Sequence, residues 1–179
     1  MLLANYGACE VDRVRHLEEA FCCIAATRMA DIPVVNRALS VEALGFEQCA
    51  ESAGGSDGEM GILITPWFMN LIWLAPYGPC LGERDASTLP VGKTCMRRFG
   101  SHDFEFIGAS EPQFGPYQFC SLFSPMFEFA NQASARATAT EVLRLLRASP
   151  DAPLPPTCAP HRDRRGFLFG RRRIEGESL

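Results

Sequence analysis

Eight cysteines and three histidines are the residues of this 179-residue chain most suited to chemistry. As thiolates the cysteines could exchange disulfides or, with histidine, hold a metal. Their spacing favours neither role. Cys9, Cys22, Cys23, Cys49, Cys80, Cys95, Cys120 and Cys158 include no C-x-x-C pair, and His16, His102 and His161 stand at no zinc-finger spacing from a cysteine pair. Core cysteines behave as small hydrophobes, which is the expectation for Cys22, Cys95 and Cys120. Adjacent helical residues point about 100° apart, so at most one of Cys22 and Cys23 faces a core. A cysteine nucleophile would meet a histidine base only in the fold, and no local signature surrounds either residue type. Gly92-Lys93-Thr94 has the end of a phosphate loop. The first glycine of G-x-x-x-x-G-K-S/T would fall on Ser87, however, and a strand rather than a helix is predicted to follow. Glu18-Glu19 reads as a solvated helix face. These residues supply no placed acid–base set, no cofactor site and no metal site. The sequence therefore points to binding rather than catalysis.

Binding chemistry is concentrated in Gly115–Phe129, GPYQFCSLFSPMFEF, where aromatic residues crowd beyond the needs of a loop. Ser124 could cap a helix, its hydroxyl accepting from a first-turn amide, and Pro125 suits the first helical position. Such a stretch is either packed on the core or exposed to bind something apolar.

The elements positioning it follow from periodicity. Val14, Leu17, Phe21, Ile24 and Arg28 recur at helical spacing over Glu10 to about Ala30, with Arg15 and Glu19 four apart on another face. Asp31-Ile32-Pro33 ends that helix. Strands are predicted over Val41–Ala50, Met60–Thr65 and Phe68–Ala75, then Val91–Phe99 and Asp103–Ile107. Pro66-Trp67 divides the second and third. Apart from Asn70, Phe68–Ala75 is apolar on both faces, as in a strand covered on both sides. A second helix is predicted over Pro125–Arg147, with Leu122, Met126, Phe129, Ala133 and Ala137 along one side and Arg144 and Arg147 at its C-terminal end. The order, about five strands with long N- and C-terminal helices, implies an α+β fold. Residues 1–148 form the predicted domain; 149–179 read as a Pro-rich linker and a basic flexible tail.

Composition narrows the partners. Residues 1–159 carry 11 Lys/Arg against 18 Asp/Glu, net −7, whereas 160–179 carry six Arg against three acids, net +3. An acidic body argues against nucleic acid, which needs a basic footprint. MLLANYGACE reads as no secretory signal, and no stretch is long and apolar enough to insert in a bilayer. A reducing, cytoplasmic location is expected.

Three segments go further. TRMADIPVVNRALSVEALGF (Thr27–Phe46), TPWFMNLI (Thr65–Ile72) and GPYQFCSLFSPMFEFANQ resemble, in the same order, the signature segments of the HybE/HupJ family of nickel–iron hydrogenase assembly chaperones. The agreement includes Trp67, Asn70 and Tyr117, which generic folding would not require. The resemblance implies a non-enzymatic helper with a fold similar to that of secretion chaperones, a twisted antiparallel sheet with flanking helices, often dimeric. It implies binding to an immature hydrogenase subunit, the small-subunit precursor and/or the large subunit, coordinated with twin-arginine export. Some members carry a rubredoxin-like domain with two cysteine pairs; this sequence lacks those pairs, and no iron is carried over. On that resemblance the client-binding candidates are Trp67, Phe68, Met69, Asn70, Tyr117, Phe123, Pro125, Met126 and Phe127, with Trp67 and Tyr117 foremost because amphipathic rings suit interfaces. The alternative is a cysteine-based redox protein or transient metal carrier.

In the tail, Arg164-Arg165-Gly166-Phe167-Leu168 is similar to the R-R-x-F-L core of twin-arginine signals, but stands at the wrong end and lacks a following apolar stretch. Two readings stay open. Arg164, Arg165, Phe167 and Leu168 form either a pseudo-signal that occupies the chain's own peptide site or a plain electrostatic tail.

Overall fold

Leu17, Phe21 and Ile24 are buried along one side of the first helix, α1 (Tyr6–Ala26), where their spacing put them. This is seen in a computed structural model, which describes residues 6–49, 58–75, 89–99 and 102–147, with side chains from Arg13 onward. Arg15 and Glu19 pair at 3.7 Å on the exposed face. The helix ends at Ala26, earlier than predicted; turns carry the chain through Thr27–Asp31 to the connector.

Six strands follow, not five: β1 (Glu42–Cys49), β2 (Gly58–Ile64), β3 (Met69–Leu74), β4 (Thr94–Phe99), β5 (His102–Glu111) and β6 (Gly115–Phe123). They form one sheet in the order β1-β2-β3-β6-β5-β4, every neighbouring pair antiparallel. The additional strand is β6, the stretch read as a crowded approach to a helix. Its Gly115-Pro116 start resembles a turn, and its apolar residues are split between both faces of the sheet, so no regular apolar–polar alternation marks it. Tyr117 and Phe119 join the cluster on the α1 side, while Cys120, Leu122 and Phe123 join the one on the other side.

The second helix, α2 (Gln132–Arg147), begins at Gln132 rather than Pro125. Asn131, not Ser124, is its cap: its Oδ1 accepts from the Ser134 amide at 2.9 Å. The Ser124–Pro125 peptide is cis. The shift in start also shifts the buried side. Ala135, Ala139, Leu143 and Leu146 face the sheet, and Ala133 and Ala137 face solvent. Polar contacts lay α2 along β1: Glu42 accepts from Gln132 at 2.6 Å and pairs with Arg136 at 3.0 Å, and Glu47 pairs with Arg147 at 3.0 Å.

The core is therefore two apolar layers on opposite faces of the sheet. On the α2 side lie Met60, Ile62, Ile64, Met69, Leu71, Trp73 and Phe106; on the α1 side lie Leu63, Ile72, Leu74 and Tyr117. A polar node is set into the α2-side layer. Arg97 donates through Nε to Gln118 Oε1 at 2.9 Å and lies 4.3 Å from the Trp73 ring centroid. That gives a buried guanidinium a hydrogen bond and a π face. Gly92-Lys93-Thr94 forms a turn running into β4, its Gly92 and Lys93 amides bonded to Gly108 and Pro90. No helix N-terminus follows, as a phosphate loop would need. The linker and tail from Ser149 onward, most of the Gly54–Gly58 loop, and residues 76–88 lie outside the described residues.

Candidate functional site

The β2–β3 hairpin is closed by a four-residue loop, Thr65–Phe68, between the paired ends Ile64 and Met69. Thr65 locks it. The Thr65 amide donates to the Phe68 carbonyl at 2.8 Å, and Thr65 Oγ1 accepts from the Phe68 amide at 2.9 Å. The loop thereby presents Pro66-Trp67 at one end of the sheet. Because β6 runs antiparallel to β3 and pairs Phe123 with Met69, the segment leaving β6 arrives at the same end. There the Ser124 hydroxyl points to the Trp67 carbonyl at 3.5 Å.

Asn36 joins the two. Its backbone amide donates to the Pro66 carbonyl at 2.8 Å, and its side-chain Nδ2 donates to the carbonyls of Met126 at 2.9 Å and Phe129 at 2.8 Å. Its Oδ1 accepts from the Ala38 amide at 3.0 Å. One residue of the connector thus fixes the hairpin loop, the β6–α2 segment and its own turn. The three stretches singled out in sequence meet at Asn36, whose role no local pattern revealed.

The candidate residues divide by exposure at this end. Phe127 is 62% exposed, Pro125 is exposed, and Trp67, Phe68 and Phe123 are half-buried. Met69 and Met126 are fully buried in the α2-side layer and offer no surface. Ile32, four positions before Asn36, is a further large exposed hydrophobic that sequence reading passed over. Tyr117 lies toward the opposite end of β6, buried against Phe21, Phe114 and Phe119. Burial, and then the charge of Glu111, push its phenol up to about 12. Asn70 is buried in mid-sheet. Arg164, Arg165, Phe167 and Leu168 lie outside the described residues.

The cysteines are not placed as expected. Cys22 is exposed, and Cys95 and Cys120 are only part-buried. The thiols of Cys22, Cys49 and Cys120 are raised above the ordinary range, each mainly by burial. A raised thiol carries less of the reactive thiolate at neutral pH. Among the described residues, no group of three His, Cys, Asp or Glu is arranged to hold a metal. No described helix is long and apolar enough to cross a membrane.

Known proteins resemble this chain in sequence and in fold. Residues 12–170 match the family described as "[NiFe]-hydrogenase assembly, chaperone, HybE". The hydrogenase expression/formation protein HupT of Azotobacter chroococcum mcd 1 is 42% identical over 144 residues, covering 79% of this chain and 87% of that protein. The corresponding HoxT protein of Azotobacter vinelandii is 40% identical over 160 residues, covering 88% and 91%. The solution structure of HybE from Escherichia coli is similar in fold, with a TM-score of 0.54 at 21% identity, covering 90% of this chain and 91% of that one. The match over most of the chain's length, together with these two relatives, places the chain in the HybE family of nickel–iron hydrogenase assembly chaperones.

Proposed function

We propose that this chain works by binding, without chemistry of its own, and holds an immature nickel–iron hydrogenase subunit in the cytoplasm until assembly and twin-arginine export can proceed. The client is the small-subunit precursor and/or the large subunit. One observation carries the reading beyond family membership: the exposed apolar side chains of Pro125 and Phe127, with half-buried Trp67 at the same end of the sheet, on a hydrogen-bonded, Asn36-centred base. Apolar side chains left in water on a rigid support suit reversible capture of a partly folded chain. In the tail, Arg164, Arg165, Phe167 and Leu168 would act as a pseudo-signal displaced by the client. Arg164→Ala with Arg165→Ala should then change client affinity, and an unchanged affinity would end that part of the reading.

The test is co-purification of the tagged chain from cells expressing a nickel–iron hydrogenase operon, with and without the small subunit's export signal. Capture that requires the signal supports coupling to export. Capture without it moves recognition to the body of the subunit. Capture of neither subunit contradicts the proposal.

A further inference from the structure

β4 lies at one edge of the sheet, and among the described residues it pairs only with β5. Its other side carries main-chain donors and acceptors that the sheet does not use, and the ladder fixes which they are. The Gly108 amide donates to the Lys93 carbonyl at 2.8 Å, and the Gly108 carbonyl accepts from the Gly92 amide at 2.8 Å. Hydrogen-bonded pairs recur at every second position of an antiparallel ladder, so the next fall on Cys95–Phe106, Arg97–Phe104 and Phe99–His102. The N–H and C=O groups of Thr94, Met96 and Arg98 therefore point outward, and all three residues are exposed.

Sheet edges are ordinarily defended against pairing with another chain by bulges, by charge or by a covering element. β1, the opposite edge, is guarded in this way. Its register shifts between Leu44 and Glu47, Glu42 and Glu47 lie along it, and Arg147 of α2 donates to the Gly45 carbonyl. β4 is not. Its pairing with β5 is unbroken over six residues, which include no proline and no acid. Its two arginines are drawn away from the edge. Arg97 is buried against Trp73 and Gln118, and Arg98 is clasped by both carboxylate oxygens of Asp103, at 2.7 and 2.9 Å. Met96, 61% exposed, is the large apolar side chain left at the middle of the strand.

A second copy of the chain fits this edge in one register. With a two-fold axis at Met96, two antiparallel β4 strands set Met96 against Met96 and each Arg98 against a Thr94, outward donors meeting outward acceptors. An axis at Arg98 would place two guanidinium groups directly opposite each other, which is unfavourable. An axis at Thr94 would run each strand into its partner's Pro90–Lys93 turn, closed by the Lys93 amide on the Pro90 carbonyl at 3.0 Å. We propose that the chain associates with a second copy of itself through β4, joining two six-stranded sheets edge to edge at Met96. The contact is isologous, as two-fold symmetry requires. Six residues a side make a small interface, so the dimer forms reversibly with concentration. β4 runs parallel to β6, toward the end of the sheet where Asn36 sits. Antiparallel pairing therefore sends the two Asn36 ends to opposite ends of the joined sheet and leaves both open. The inference does not depend on what those ends bind.

The experiment uses the full chain. Sedimentation of the wild type should show monomer giving way to dimer between about 1 and 100 μM. Over the same range, amide exchange followed by NMR should slow at Thr94, Met96 and Arg98 and change little at Cys95 and Arg97, which already bond to β5. Met96→Lys and Met96→Glu each bring like charges together at the axis, and each alone should weaken self-association about tenfold or more. An equal mixture of the two variants should associate about tenfold more tightly than either alone, as a heterodimer. A wild-type chain that stays monomeric, or that dimerises without slowing those three amides, overturns the inference. So does a folded Met96→Lys variant that dimerises as well as wild type, or a mixture that associates no better than its parts. Should the variants fail to fold, the exchange pattern of the wild type decides alone.

Discussion

The side-chain amide of Asn36 donates to the main-chain carbonyl of Phe129 at 2.8 Å, across 93 positions of sequence. With its second bond to Met126, this contact holds the β6–α2 segment in a non-helical path and leaves Asn131 to start the helix. Asn36→Ala would remove both bonds and leave two carbonyls without those donors. It is expected to destabilise the protein by about 2–3 kcal/mol. Asn131→Ala, which removes only a helix cap, should cost about 1 kcal/mol. Urea unfolding of the two variants checks the ranking, and a larger loss for Asn131→Ala would contradict it.

Neighbouring residues in the segment should behave oppositely. Met126 is fully buried, so Met126→Ala is expected to cost about 2–5 kcal/mol through lost contacts and a cavity. Phe127 is largely exposed, so Phe127→Ser should leave stability within about 0.5 kcal/mol. Thermal unfolding distinguishes them directly.

Gly61 tests the packing of β1 on β2. A Cβ built there would stand 2.3 Å from Cδ2 of the Phe46 ring. Gly61→Ala must push that ring away from the α1-side layer, at an expected cost of about 1–3 kcal/mol. Restoring room with Gly61→Ala plus Phe46→Leu should recover part of the loss in a double-mutant cycle.

Tyr117 predicts an alkaline limit. Its phenol is raised from 10.0 to about 12, mainly by burial, so the folded state favours the protonated form. That contribution to stability is complete below the unfolded pKa near 10 and is lost as pH rises toward 12. Tyr117→Phe should therefore flatten the fall in stability over this window, and its difference spectrum against wild type should show a tyrosinate forming only near the upper end. A Tyr117 tyrosinate appearing near pH 10 would contradict the buried placement.

Parts of this fold are legible in the sequence for clear physical reasons. The spacing of Leu17, Phe21 and Ile24 marks α1 because that helix has one dry side. The unbroken apolar run of β3 marks a strand covered on both faces. β6 escaped because its buried polar residue, Gln118, is satisfied from another strand, by Arg97 of β4. A window of sequence cannot show that such a residue is inside. The start of α2 was misplaced because the local Ser124-Pro125 signal loses to Asn36, a partner 90 positions from Met126. The candidate site was legible as a set of aromatic segments. Which of them face water was not, since the adjacent residues Met126 and Phe127 differ only in the direction that the turn gives them.

The central claim is that the exposed apolar edge at the Asn36 end receives a hydrogenase subunit. The most direct measurement is capture of small and large subunits by the tagged wild-type chain against a Phe127→Ser variant whose urea midpoint has first been compared with wild type. The account predicts a loss of capture of about tenfold or more with the midpoint little changed, as expected for exposed side chains that act at an interface. Undiminished capture by a folded variant would contradict it and place client recognition elsewhere on the molecule.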